Sequence, residues 1–184
     1  MFKSFKFAAF LAVLELSTLL PGQQAQAQSV GIWSIVGAGC VPTGQTSATR
    51  ANFNVAGDVG FASGVTGDII LTCPVPSYVA GATHLSVTYR DTDGGGNTVN
   101  IVATLRRKDL RTGSVSDVGG RVDTNAGPVV SAYDMMNAQL GQDCEGGIGL
   151  DHNQYAYYVQ INMKRSAAQA TALLASVTLR SIVC

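Results

Sequence analysis

The densest set of chemically able side chains is Asp151-His152-Asn153-Gln154, followed at once by Tyr155, Tyr157 and Tyr158. Exposed aromatic faces stack on sugar rings, while neighbouring amides and carboxylates take hydroxyl groups. The pattern therefore suits a glycan site carried by Asp151, His152, Asn153 and Tyr158. A packing explanation competes with it: period-two alternation sends Tyr155 and Tyr157 into a core and leaves only Tyr158 outside. A serine hydrolase built on His152 and Asp151 would need a serine that the sequence does not nominate, and adjacent residues rarely orient each other as a triad requires. The second histidine, His84, stands among outward polar residues and reads as a solvated strand position.

The motifs of common catalytic sites are missing. Gly-x-Ser-x-Gly, Gly-x-x-x-x-Gly-Lys, His-Glu-x-x-His and Ser-x-x-Lys do not occur. No enzyme activity, cofactor or metal is expected on this inventory. Asp91-Thr92-Asp93-Gly94-Gly95-Gly96-Asn97 matches the first two ligand positions of a calcium loop. Gly95 and Val102 fill the fifth and twelfth positions, where oxygen ligands are needed. A glycine-rich hairpin explains the segment better. Leu105-Arg106-Arg107-Lys108-Asp109-Leu110-Arg111 concentrates four cations without interleaved aromatics, which reads as a solvated strand end rather than a nucleic-acid contact. The whole chain of 184 residues balances 12 basic against 12 acidic side chains, so no general attraction for nucleic acid or anionic membranes is expected.

The N-terminal stretch speaks to compartment. Lys3 and Lys6 precede an apolar run from Phe7 to Leu20; Pro21-Gly22 breaks it, and Ala25-Gln26-Ala27 offers small residues for cleavage before Gln28. Residues 1–27 are thus expected to be a secretory signal peptide, despite Glu15 within the run, and 28–184 a single domain. The run falls short of the roughly 20 residues that span a bilayer, and no later segment spans either. Cys40, Cys73, Cys144 and Cys184 all follow the leader. An even count in an exported chain reads as two disulfides with three possible pairings; Cys40–Cys73 and Cys144–Cys184 would place one staple in each half.

Alternation decides which elements hold these groups. Leu85, Val87 and Tyr89 alternate with polar residues in Ala82–Arg90, as do Val99, Ile101, Ala103 and Leu105 in Thr98–Arg106. Tyr155, Tyr157, Val159, Ile161 and Met163 do so in Tyr155–Lys164, and Ala175, Val177, Leu179 and Val183 in the last strand. Such strands are half-buried and antiparallel. Weaker strands are expected at Val30–Val36, Ala48–Val55, Asp68–Cys73, Ser114–Asp123 and Pro128–Tyr133, with short helical turns in Ala132–Leu140 and Ser166–Leu174. The class is all-β: an antiparallel two-sheet sandwich of jelly-roll type, stapled by two disulfides.

Cys40-Val41-Pro42, Cys73-Pro74-Val75-Pro76, the strand ending Tyr89-Arg90-Asp91, the Thr112-Gly113 turn and a closing strand ending in cysteine resemble small secreted β-sandwich proteins of Gram-negative bacteria. The resemblance implies export and a disulfide-stapled β-fold and brings no activity with it. The expected role is non-catalytic, in a secreted, periplasmic or cell-surface location. One form is a structural or matrix-interaction protein that self-assembles through strand edges or meets surface polysaccharide. The alternatives are a soluble carbohydrate- or ligand-binding module and, third, a small secreted hydrolase.

Overall fold

A computed structural model describes residues 28–129, 131–142 and 147–183. The strands are β1 (Gln28–Val36), β2 (Val41–Pro42), β3 (Ala51–Phe53), β4 (Val59–Phe61), β5 (Gly67–Pro74), β6 (Gly81–Ala82) and β7 (His84–Asp91). They continue with β8 (Val99–Asp109), β9 (Val115–Asp123), β10 (Asp134–Gln139), β11 (Ile148–Gly149), β12 (Tyr155–Arg165) and β13 (Ala172–Val183). A short α-helix, α1 (Gly44–Arg50), links β2 to β3, and single 3-10 turns lie at Gly37–Gly39 and Thr124–Ala126. No helix among the described residues is long and apolar enough to cross a membrane.

The strands pair antiparallel in two main sheets. A five-stranded sheet runs β2-β5-β12-β8-β9, and a six-stranded sheet runs β10-β7-β13 and then divides. β4, followed by β3, occupies the first part of β13 at Leu173 and Leu174, while β1 occupies its remainder from Ser176 onward. β6 and β11 form a separate two-stranded ribbon.

Alternation builds the core, as the sequence implies. Leu71, Ile161 and Ala103 lie side by side across β5, β12 and β8, flanked by Ile69, Met163 and Ile101 on one side and Cys73, Val159 and Leu105 on the other. All nine are 0% exposed. The facing sheet contributes Leu85, Val87 and Tyr89 from β7 and Leu174, Val177 and Leu179 from β13 to the same core. Each such side chain contributes about 1.5–3 kcal/mol relative to exposure, so these rows dominate the fold's stability.

Cys40 and Cys73 are joined by a disulfide with a Cα–Cα distance of 4.3 Å. Val41 pairs with Thr72 in the antiparallel register, so Cys40 stands directly opposite Cys73. The bond pins the chain where it leaves β1 in one sheet for β2 in the other. The expected Cys144–Cys184 pair and the expected leader, residues 1–27, lie outside the described residues.

Several local expectations are corrected. Asp91–Asn97 is not a hairpin turn: β7 belongs to the six-stranded sheet and β8 to the five-stranded one, so the loop crosses between sheets. Its carboxylates fold it. Asp91 Oδ1 accepts from Asp93 N at 3.1 Å and Gly94 N at 3.0 Å, and Asp91 Oδ2 accepts from the Thr124 hydroxyl at 2.7 Å. Asp93 accepts from Thr98 N at 2.7 Å, from the Thr98 hydroxyl and from Val99 N at 3.1 Å. Burial pushes the Asp91 carboxyl up. Burial alone would raise Asp93 as well, but the Thr98 and Val99 hydrogen bonds outweigh it and hold that carboxyl low.

Residues in Ala132–Leu140 form strand β10 instead of a helical turn, because pairing with β7 places Met136, Ala138 and Leu140 on the inward side and overrides the helix propensity of Met, Ala and Leu. The expected strand Ala48–Val55 divides into the end of α1 and β3, and the described part of Pro128–Tyr133 forms no strand. Ser166–Leu174 bends and then enters β13 at Ala172 without a helix.

Candidate functional site

The outward side chains of the five-stranded sheet are aligned by its register. Tyr158 on β12 stands between Pro74 on β5 and Arg106 on β8, with Asp117 of β9 beyond Arg106. The next row places Gln160 between Thr72 and Thr104, with Arg121 beyond; a third places Asn162 between Ile70 and Val102. Directly opposed side chains in such a ladder are about 4.5–5.5 Å apart at Cβ, close enough to bond.

They do bond. Arg106 Nε donates to Asp117 Oδ1 at 2.8 Å and Arg106 Nη1 donates to Gln160 Oε1 at 2.8 Å. Gln160 Nε2 in turn donates to Asn162 Oδ1 at 3.1 Å. Four planar polar groups are thereby fixed side by side across three strands. They border a shallow depression of about 250 Å³ lined also by Val102, Thr104 and Arg121. The exposed Arg106–Asp117 pair is worth only about 0.2–1 kcal/mol in stability, so its main consequence is orientation.

A backbone irregularity makes this alignment. Between the pairs Thr104–Arg121 and Arg106–Asp117, β8 advances two residues while β9 advances four. The extra residues form a bulge through Gly119, whose φ of 69° is open to glycine and strained for other residues. A Cβ on Gly119 would also come within 2.6 Å of the Leu140 backbone, so the bulge seats β9 against the end of β10. The bulge turns Asp117 toward Arg106.

The residues singled out from the sequence divide between two places. Tyr158 belongs to the outer face just described. Asp151, His152 and Asn153 lie in the loop before β12, on the side of the buried Tyr157. There, Tyr157 OH accepts from Asp151 N at 3.1 Å, and Asp151 Oδ1 accepts from Asn153 N at 3.0 Å. His152 Nε2 lies 2.9 Å from the Val79 carbonyl oxygen. A carbonyl only accepts, so Nε2 carries the proton. The His152 ring meets Tyr157 edge-on at 5.0 Å, and Tyr155 meets Tyr157 at 6.2 Å. The Asp151–His152 pair is thus engaged with loop backbone and core aromatics.

Asn153, Gln154 and Tyr155 line a cleft of about 470 Å³ together with Asp109, Leu110 and Arg111. Arg107 lies over the Tyr155 ring at 4.7 Å and donates from Nε to the Ser116 hydroxyl at 3.0 Å. Asp109 Oδ1 accepts from Arg111 N and Thr112 N, both at 2.8 Å, which holds its carboxyl below the usual range. In the basic run, Arg106 and Arg107 are therefore committed to neighbours, while Lys108 and Arg111 are exposed. His84 Nδ1 lies 3.1 Å from the Thr83 hydroxyl.

Sequence reasoning missed Arg106, Asp117, Gln160 and Asn162 as one group. Alternation gives the outward direction of Gln160 and Asn162, but joining them to Asp117 requires strand order and the bulge.

No protein-family model matches the chain, and no curated protein sequence matches it. Several solved structures overlap it at low identity. The family 30 carbohydrate-binding module of a cellulosomal cellulase of Clostridium thermocellum is 14% identical, with 83% of this chain and 98% of that one covered and a TM-score of 0.45. A xylan-binding module is 11% identical over 83% of this chain and 97% of that one, with a TM-score of 0.42. A family two carbohydrate esterase from Cellvibrio japonicus is 12% identical over 84% of this chain, with a TM-score of 0.39. This chain spans only 34% of the esterase's length.

Proposed function

We propose that the protein is a non-catalytic carbohydrate-binding module whose ligand lies on the outer face of the five-stranded sheet. One observation carries this reading. Asp117, Arg106, Gln160 and Asn162 are hydrogen-bonded into a fixed series across β9, β8 and β12, beside the half-buried ring of Tyr158. Sugar hydroxyls both donate and accept, and this series offers guanidinium and amide donors with amide and carboxylate acceptors. The strands supply rigidity, so little conformational entropy is lost on binding. Tyr158 supplies the apolar surface that a sugar ring stacks upon.

The module is exported through residues 1–27 and works outside the cytoplasm. Its sandwich follows a jelly-roll path and is closed by a second disulfide, Cys144–Cys184. Thiol titration of the unfolded, unreduced protein checks that bond: no free thiol is expected, and two would contradict it.

Retention on a panel of neutral and acidic polysaccharides, by affinity electrophoresis, tests the binding reading. The protein is expected to be retarded by at least one polymer, and Tyr158→Ala is expected to weaken that retention about tenfold, close to 1.4 kcal/mol. Unchanged retention in Tyr158→Ala, or no retention of the protein on any polymer, would sink the proposal.

A further inference from the structure

The outer face of the six-stranded sheet holds polar atoms that the fold leaves unmet. Leu85, Val87 and Tyr89 enter the core, so Ser86, Thr88 and Arg90 of β7 turn outward. The register sets Ser86 between Asn137 of β10 and Thr178 of β13. Ser86 is 2% exposed, and its hydroxyl is buried without a hydrogen-bond partner. Arg90 Nε and Arg180 Nε share that condition; Tyr89 OH, on the core side, is the only other such atom among the described residues. Native folds satisfy most buried polar groups, so three exceptions on one face point toward a ligand.

Charge names the first feature of that ligand. Neither arginine forms an ion pair among the described residues. The acids of these strands lie on the other side: Asp134 is the register partner of Tyr89, and Asp91 accepts from Thr124 in the interior. Asp58, before β4, accepts from Tyr133 OH and Asn54 Nδ2. Arg180 Nη2 donates at 2.9 Å to Met135 Sδ, a weak acceptor for a guanidinium. Arg180 stands in register with His84 and Met135 with Thr88, so this reach crosses the row of Ser86. A carboxylate would replace the thioether with paired charge-assisted bonds, and lifting the guanidinium would open Ser86. Hydroxyls and amides give the second feature. Ser34 Oγ and Thr178 Oγ1 bond at 2.9 Å in the same row as Ser86 and Asn137. A carboxylate beside hydroxyls in one unit is the chemistry of a uronic acid.

We infer that this face is a second ligand site, taking the carboxylate of an acidic sugar on Arg180 and Arg90 and its hydroxyls on the Ser86 row. It lies on the opposite side of the sandwich from Tyr158 and does not depend on that site. The Ser86 row carries no aromatic platform, so binding of a single unit is expected near about 1 mM. Polymer retention therefore stays with the Tyr158 face.

Backbone amide chemical shifts during titration with trigalacturonate read the site. Saturating shifts at Ser86, Thr88 and Thr178 are expected, and none there from neutral galactotriose. Arg180→Gln keeps an amide but removes the charge, and it is expected to weaken binding about tenfold. Arg90→Gln is expected to weaken it less, with melting temperatures unchanged in both variants. Tyr158→Ala is expected to titrate like wild type, which separates failure here from failure of the five-stranded face. No saturable shift on this face, equal shifts from the neutral sugar, or equal binding by wild type and both arginine variants would overturn the inference. So would shifts confined to β8 and β12, which would leave the Tyr158 site standing. An oligoglutamate that shifts the same amides as strongly would reassign the face to an acidic protein and overturn the sugar assignment.

Discussion

The outer face of the five-stranded sheet and the loop before β12 are both rich in polar side chains, yet they use them differently. In the loop, Asp151 caps Asn153 N, and across the cleft Asp109 caps Arg111 N and Thr112 N. His152 donates to the Val79 carbonyl. A chain without a ladder must find partners for its own amides and carbonyls, and the nearest side chains supply them. On the sheet, the ladder already satisfies the backbone, so Arg106, Gln160 and Asn162 bond to one another and face outward. Polar residues on strands are thus better candidates for a ligand than a denser cluster in a loop.

The same strand offers the sharpest test of this division. Ile161 is fully buried, while its neighbour Gln160 points to the outer face. Ile161→Ala is expected to lose about 2–5 kcal/mol of stability in denaturant unfolding, through lost burial and a cavity. Gln160→Ala is expected to lose under about 1 kcal/mol, because its hydrogen bonds are partly exposed, yet to impair polysaccharide retention. Comparable stability losses in the two variants would break the comparison.

His152→Ala comes next in size. It removes the bond to Val79 and the ring contact with Tyr157, so a loss of about 1–2 kcal/mol is expected with retention unchanged. A stable variant that no longer binds would move the site to the loop.

A smaller effect depends on pH. Asp109 is held low by the Thr112 and Arg111 amides, so its ionised form contributes stability above the ordinary aspartate pKa of about 3.9. That contribution disappears as pH falls through the lower folded value. Melting temperatures below about pH 4 should therefore fall more steeply in wild type than in Asp109→Asn. Parallel curves would show that the turn does not use the charge. The smallest effect is expected for Asn153→Ala, which should leave both retention and stability within error, since its exposed side chain has no bond in the loop.

Much of the architecture was legible because burial is periodic. The alternation in β7, β8, β12 and β13 identifies the core rows and already separates Tyr158 from Tyr157. Other features depend on partners distant in sequence. The glycine-rich Asp91–Asn97 segment has the chemistry of a tight turn, but only the sheet assignment of β7 and β8 reveals a crossing between layers. Residues of β10 have helix-forming side chains, and only pairing with β7 makes them a strand. Cys40–Cys73 could be chosen by placing one staple in each half, whereas the Asp117–Arg106–Gln160–Asn162 series depends on a bulge that spacing alone does not reveal.

Isothermal titration with a polysaccharide that the protein retains compares the two regions most directly. Tyr158→Ala combined with Gln160→Ala should abolish the binding heat, while Asn153→Ala combined with Gln154→Ala should titrate like wild type. The reverse result, with binding lost in the loop variant and preserved in the sheet variant, would contradict the assignment of the site to the sheet face.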